Sequence, residues 1–170
     1  MKLATCIIIC IIFSSCKNGM INFNLNFTHE AIIQNTLPVN VPVNLFTPET
    51  TTNTEKELEV RDSQKNLVEE VILETLTIEI TSPQNQNFNF LQKIEIYINS
   101  PKNNEIKVAE KFEIPESQKK INLNAFDVNL KEYLVDDNFT LRIKTVTNQI
   151  PGQDVELEIY TDFNISAKVI

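Results

Sequence analysis

The sequence predicts a mainly β protein, an immunoglobulin-like antiparallel β-sandwich with one or two short helices. Apolar and polar residues alternate with period two along most of the chain after residue 17, which is the pattern of strands with one buried face. Turn-forming residues separate the alternating runs, and only two short stretches have helical spacing. A lipocalin-like barrel is the alternative. A proline-rich strand favours the sandwich, because a closed barrel leaves no edge for such a strand.

The first two predicted strands lie in residues 21–27 and 39–45. In the first, Ile, Phe and Leu alternate with three asparagines; in the second, Val and Leu alternate with polar residues and proline. Pro38 and Pro42 lack the backbone N–H that a central strand must donate. We therefore expect the second strand to lie at the edge of a sheet.

Further strands are predicted at residues 76–80 and 94–98, with a polar loop at residues 82–87 between them. Phe88 and Phe90 are expected to begin the buried face of the strand that follows. The alternative is an exposed loop tip that anchors a partner or lipid.

The last two predicted strands, residues 139–145 and 155–169, flank a turn at Pro151 and Gly152. The second would be roughly 50 Å long at about 3.3 Å per residue, so we expect it to bend, bulge or pass between sheets. Its alternation is unbroken, and the final residues are therefore expected to be paired.

Two short helices are predicted, at residues 67–72 and 126–134. The first has apolar residues at helical spacing after Asp62 or Ser63, either of which could cap its start. Each helix would have about two turns, which requires docking on the sheets for stability.

Residues 1–15 have the pattern of an export signal: Lys2, an apolar run of about eleven residues, and two serines. The run is shorter than the roughly 20 residues that a membrane-spanning helix needs. Cys16 follows directly. Processing before Cys16 would remove one lysine and change the net charge from −8 to −9. Residues 16–19 would then form a short tether, and residues 20–170 a single domain.

The sequence Phe13-Ser14-Ser15-Cys16 resembles the lipobox of bacterial lipoproteins, with Phe13 in place of the usual aliphatic residue. Together with the Asn- and Lys-rich composition and the C-terminal strand pattern, it makes the chain similar to small lipoproteins of Bacteroidota. The resemblance implies acylation of Cys16, including palmitate, and attachment to the membrane. It also implies an address in the cell envelope, for which we expect the outer membrane. Lys17-Asn18-Gly19 after the cysteine favours the periplasmic face over the cell surface.

Composition argues against several kinds of chemistry. The acidic net charge disfavours nucleic acid as a partner. Two glycines are too few for a phosphate-binding loop, and only Cys16 lies outside the signal, so we expect neither a cofactor nor a metal. His29 is expected in a loop after the first strand, without a catalytic role. Asp136 and Asp137 could form a weak calcium site, although a turn explains them equally well.

These observations predict a non-enzymatic binding or structural module, anchored through lipid on Cys16 and docking on another envelope protein. The alternative is a carrier of a small hydrophobic ligand. Tyr97 and Tyr160 fall on the polar sides of their strands, and Pro42 lies on the expected edge strand. These three residues are the candidates for a contact surface. The oligomeric state is left open.

Overall fold

The computed structural model describes residues 19–170, which contain ten strands and two short helices. The predicted export signal and Cys16 lie outside this range. The strands are β1 (Met20–Ile33), β2 (Val43–Phe46), β3 (Thr50–Thr51), β4 (Val68–Ser82), β5 (Leu91–Ser100), β6 (Asn103–Phe112), β7 (Lys120–Asn122), β8 (Asn124–Ala125), β9 (Asn138–Thr147) and β10 (Val155–Lys168). The helices are α1 (Thr54–Glu59) and α2 (Lys131–Leu134).

The strands form two antiparallel sheets, as the sequence predicts for a β-sandwich. The first sheet has the order β1-β10-β4-β7. The second has the order β2-β9-β5-β6-β8, and β3 continues beside β9 where β2 ends. Two separate sheets rule out the closed barrel that was the alternative.

One continuous core fills the space between the sheets. Its inward side chains include Ile78 and Ile159 from the first sheet and Ile96 and Ile143 from the second, all fully buried. Phe139 and Phe163 meet across the core with ring centroids 6.0 Å apart in an edge-on arrangement. Burial of this apolar surface is the main favourable contribution to folding.

The helix predicted at residues 67–72 is wrong, because residues 68–72 belong to β4 and Leu67 ends a short 3₁₀ turn before it. The register between β4 and β10 shifts at three places, which leaves Glu69, Glu74 and Thr81 as extra residues in β4. The buried positions of β4 are consequently Val68, Val71, Leu73, Leu76, Ile78 and Ile80. Their spacing of two or three residues imitates a helical pattern, and β-bulges are the physical cause.

The second predicted helix is only partly present. Of residues 126–134, α2 includes Lys131–Leu134, and Phe126 instead donates its backbone N–H to Val108. The helix α1 was not predicted from the sequence. It buries only Thr54 and Leu58, which is too few apolar residues to give a helical period.

Two expectations about strand position are confirmed, the edge position of β2 and the pairing of the final residues, and the expectation for Phe88 and Phe90 is partly confirmed. β2 lies at an edge of the second sheet, although it begins only at Val43. β10 runs to Lys168 in a single sheet, and the next residue, Val169, is paired with Gly19. Phe88 and Phe90 are fully buried, in a short 3₁₀ turn that directly precedes β5.

Candidate functional site

The start of the described chain is held firmly by its end. The backbone N–H of Val169 donates to the carbonyl of Gly19 over 3.0 Å, and that of Ile170 donates to Asp62 over 2.8 Å. A Cβ atom on Gly19 would lie 2.9 Å from Cγ2 of Val169, so the close approach depends on glycine. Cys16 lies three residues earlier, outside the described range. No helix within residues 19–170 is long and apolar enough to cross a membrane.

His29 lies within β1 and is buried, so its expected position in a loop is wrong. Its ring nitrogens lie 3.0 Å from the hydroxyl of Thr50 and 3.2 Å from that of Thr161. Burial lowers the pKa of His29 to about 4. Thr50 belongs to the second sheet and Thr161 to the first, so the neutral imidazole joins the two sheets. With both nitrogens engaged inside the core, this imidazole is suited to fixing the sandwich.

Tyr97 lies on the outer face of the second sheet, in contact with a charged network. The guanidinium of Arg142 lies over its ring, 3.9 Å from the centroid. The same guanidinium donates two hydrogen bonds of 2.6 Å to Glu105. A planar cation held by a carboxylate and an aromatic face leaves little of either group free for a ligand.

Glu95 is the centre of a second charged group on this face. Three ammonium groups surround its carboxylate: Lys107 at 3.3 Å, Lys144 at 3.4 Å and Lys93 at 4.0 Å. Burial acts to raise the pKa of Glu95, but the hydrogen bonds and charges of Lys107 and Lys144 outweigh it and lower the pKa. The outer face of the second sheet therefore has its charges matched by its own chain.

Tyr160 lies on the outer face of the other sheet. Its hydroxyl donates a hydrogen bond to Glu158, which raises the pKa of Tyr160 to about 12. The ammonium of Lys120 lies 5.2 Å from the ring centroid. Because the outer faces of two packed sheets point in opposite directions, Tyr97 and Tyr160 do not share one surface. Pro42 is exposed just before β2, at the edge of the sheet that contains Tyr97.

The outer face of the first sheet carries unbalanced acidic charge. Glu30, Glu158 and Glu79 lie directly opposite one another on three neighbouring strands. Within residues 19–170, only Glu79 has a cation beside it, since Lys120 lies 3.0 Å from its carboxylate. Like charges in direct opposition destabilise a sheet. This row of glutamates therefore differs from Glu95, whose carboxylate is surrounded by three lysines.

The two aspartates before β9 have separate roles. Asp136 is buried and accepts hydrogen bonds from Ser100 at 2.8 Å and Lys102 at 2.6 Å, and its pKa is lowered chiefly by Lys102. Asp137 is exposed and pairs with Lys65 at 2.8 Å. The pair therefore clamps a turn onto its neighbours. Within residues 19–170, no three Asp, Glu, His or Cys side chains are grouped as metal ligands.

A groove of about 570 Å³ lies beside α1 at the end of the molecule where the described chain begins. It is open to solvent, and its lining residues are mostly polar: Glu55, Glu59, Asp62, Ser63, Gln64, Lys65, Asn66 and Ile170. Side chains from both sheets form one buried core between them. The outer faces and the edges of the sheets are the other surface features of the domain.

Sequence reasoning missed one surface feature, the free edge of β1. The first predicted strand was recognised, but its place at the outside of the first sheet depends on pairing with β10, far away in the chain. Three of its inward side chains, Ile21, Phe23 and Phe27, are only partly buried. The lack of proline, lysine and arginine in this strand was the available signal.

Comparison with known proteins gives no family for this chain. No family model matches it, and no curated protein matches its sequence. Among solved structures, a chain of Desmodium yellow mottle tymovirus aligns at 10% sequence identity, covering 90% of this chain and 91% of that chain, with a TM-score of 0.29.

Proposed function

We propose that this protein is a lipid-anchored module of the cell envelope, attached through Cys16, that binds another protein or has a structural role there. The observation that carries the proposal is the sequence Phe13-Ser14-Ser15-Cys16 placed directly before a folded domain. From Cys16 to Gly19 an extended chain spans about 10 Å at most. The domain would therefore be held close to the membrane surface.

The contacts inside the domain support binding in preference to catalysis. The imidazole of His29 is buried between two threonine hydroxyls, which keeps it away from any substrate in solution. Asp136 is engaged by Ser100 and Lys102. Polar groups available for contact include the glutamate row on the outer face of the first sheet and the backbone groups along its β1 edge. These are extended surfaces of the kind that proteins use to bind other proteins.

The proposed address is the outer membrane, with the domain on its periplasmic side. Three acyl chains on Cys16, at about 0.8 kcal/mol per buried methylene, would make the attachment effectively permanent. The residues after the cysteine include Lys17 and lack acidic groups.

The anchor is tested by metabolic labelling with a fatty acid in a bacterial host that processes lipoproteins. The full chain should take up the label and sediment with membranes, and Cys16→Ala should abolish both. Cys10→Ala is the matched control, because Cys10 lies in the segment that processing removes and its loss should leave labelling unchanged. Equal labelling of wild type and Cys16→Ala would refute the anchor.

The address is tested separately by protease treatment of intact and lysed cells, with an epitope placed after Ile170. Protection in intact cells and digestion after lysis is the expected result. Digestion in intact cells would place the domain on the cell surface and would favour adhesion or capture outside the cell.

A further inference from the structure

The edge of the first sheet offers an unfilled row of backbone hydrogen-bonding groups. Among the residues that the structure describes, β1 pairs with β10 through all 14 of its residues and has no strand on its other side. The bond from the N–H of Val169 to the carbonyl of Gly19 shows which residues of β1 direct their backbone groups towards β10. Odd-numbered residues of β1 therefore bond to β10, and even-numbered residues direct their N–H and C=O groups to the open edge.

These outward backbone groups belong to Met20, Asn22, Asn24, Asn26, Thr28, Glu30 and Ile32. Within residues 19–170, no backbone or side-chain group hydrogen-bonds to them. An N–H and C=O row of this length pairs readily with another strand.

β1 lacks the features that usually prevent such pairing. Proteins protect edge strands by short length, lysine, proline or a bulge. β1 contains no proline, lysine or arginine, and its register with β10 is unbroken. The opposite case is β2, which has four residues, lies between Pro42 and Pro48, and has Phe46 as its last residue.

Charge favours a second copy of the same chain as the occupant of this edge. The protein has a net charge of −8, so most contacts between two copies would be repulsive. The segment from Met20 to Thr28 contains no charged residue, and His29, which follows it, is buried and neutral. Two copies can approach through this segment without opposing like charges.

We propose that β1 pairs antiparallel with β1 of a second copy, with Asn26 opposite Asn26 at a two-fold axis. This register uses the full row, so the seven outward residues would form seven hydrogen-bonded pairs. Asn24 would lie opposite Thr28, and Asn22 opposite Glu30. The first sheets of the two copies would become one continuous sheet.

The register also pairs the apolar side chains that the isolated chain leaves exposed. Met20 and Ile32 are 51% and 52% exposed on the outer face, and in this register they lie opposite each other. On the inner side, the partly buried Phe27 would lie opposite Leu25 of the second copy. Cross-strand contacts of this kind stabilise sheets.

The acidic row of the first sheet does not oppose this arrangement. Glu30 lies four residues from the axis, so the two Glu30 residues are eight residues apart along the paired strands. That separation is about 27 Å at 3.4 Å per residue, well beyond the screening length of about 8 Å at physiological ionic strength. The inference concerns the domain itself and does not depend on acylation of Cys16.

The first test is sedimentation equilibrium of the purified full-length protein in detergent, with wild type compared with Asn26→Pro and Asn26→Ala. Proline removes an N–H at the free edge and leaves the bonds to β10 in place, whereas alanine keeps the N–H. Wild type and Asn26→Ala should be dimeric, and Asn26→Pro should bind itself at least tenfold more weakly. A monomeric wild type, or a dimer unaffected by proline, would overturn the proposal.

If circular dichroism shows that Asn26→Pro is unfolded, Asn26→Lys replaces it. Two ammonium groups would then face each other at the axis, and self-association should be weakened more at low salt than at high salt. Dimerisation by Asn26→Lys that equals the wild type at both salt concentrations would contradict the proposed register.

A cross-linking test identifies the molecule that pairs with the free edge of β1. Asn26→Cys treated with a short bis-maleimide in native membranes should give a product of twice the chain mass. Asn44→Cys, on the exposed face of β2, is the matched control and should give no more product than the parent chain. Cross-linking at position 26 to a different protein, with no double-mass product, would overturn self-pairing.

Discussion

The two sheets of this sandwich meet their surroundings in different ways. The second sheet has matched charges on its outer face, around Glu95 and between Arg142 and Glu105, and its β2 edge is short and flanked by prolines. The first sheet has an unbalanced glutamate row and a long edge strand without protection. The comparison teaches that the chain itself matches the charges of one outer face and protects its β2 edge, and leaves the glutamate row and the β1 edge of the other sheet available for contact.

The largest expected effects concern what the two sheets share, which is the core. Phe163→Ala in the first sheet and Phe139→Ala in the second should each reduce the free energy of unfolding by about 3–5 kcal/mol, because both rings are fully buried against each other. Phe46→Ala is the control, since this ring is 67% exposed and its loss should change stability by less than about 0.5 kcal/mol.

Urea unfolding measures these three variants. Similar losses at Phe139 and Phe163 would confirm that the sheets differ only on their outer sides. A loss below about 1 kcal/mol at either position would mean that the core adapts there. That outcome would favour a core able to take a small hydrophobic ligand.

The second prediction concerns His29, which joins the sheets. Burial lowers its pKa from 6.5 to about 4. The unfolded chain therefore takes up this proton as the pH falls through 6.5, and the folded chain takes it up only near pH 4. The unfolded state binds more protons between these values, so stability falls as the pH is lowered across the window. The loss reaches about 3 kcal/mol.

Urea unfolding at several pH values measures this dependence. His29→Gln keeps a polar side chain near Thr50 and Thr161 but cannot take up the proton. The difference in stability between wild type and His29→Gln should change between pH 6.5 and 4 and be constant above pH 7. A constant difference over the whole range would show that the imidazole titrates normally in the folded protein.

The third prediction compares the two outer faces by making the same change, glutamate to glutamine, at one position on each face. Glu95→Gln removes the carboxylate that three lysines surround, and should lower stability by about 1 kcal/mol after screening by solvent. Glu30→Gln removes one carboxylate of the unmatched row, and should leave stability unchanged or raise it by up to about 0.5 kcal/mol.

Added salt should reduce the effect of both glutamate substitutions, because both arise from charge. Thermal unfolding at low and high ionic strength measures this. If Glu30→Gln destabilised the protein as much as Glu95→Gln, the row would contain stabilising contacts, and the proposed contrast between the faces would be wrong.

Local patterns predicted the fold class well. The alternation in residues 21–27 and 155–169 follows from one buried face, a property of the strand itself, and the prolines near β2 mark an edge through their missing N–H. The β-bulges at Glu69 and Glu74 depend on how β4 meets β10, so the sequence alone suggested a helix. The pairing of distant strands decides such features.

The candidate surfaces were harder to predict for the same reason. Tyr97 and Tyr160 were recognised as outward residues, but the sheet to which each belongs is set by long-range pairing. The free edge of β1 was missed because the local sequence does not show that β1 pairs with a strand on one side only, the distant β10. The expected acylation of Cys16 is independent of the fold and stays a prediction.

Anchoring and self-pairing together would constrain the orientation of the protein on a membrane. In the proposed register the two Met20 residues are twelve residues apart, or about 41 Å along the strands. Each tether from Cys16 to Gly19 spans only about 10 Å. Both anchors can then reach one membrane only if the paired β1 strands lie along its surface.

Amide hydrogen exchange at β1, measured at low and high protein concentration, tests the central claim most directly. The amides of Asn22, Asn24, Asn26 and Thr28 should become protected as the concentration rises, because these N–H groups face the free edge. The odd-numbered amides of β1 bond to β10 and should be protected at both concentrations. Even-numbered amides that exchange rapidly at every concentration would contradict the account, as would protection that persists at high dilution.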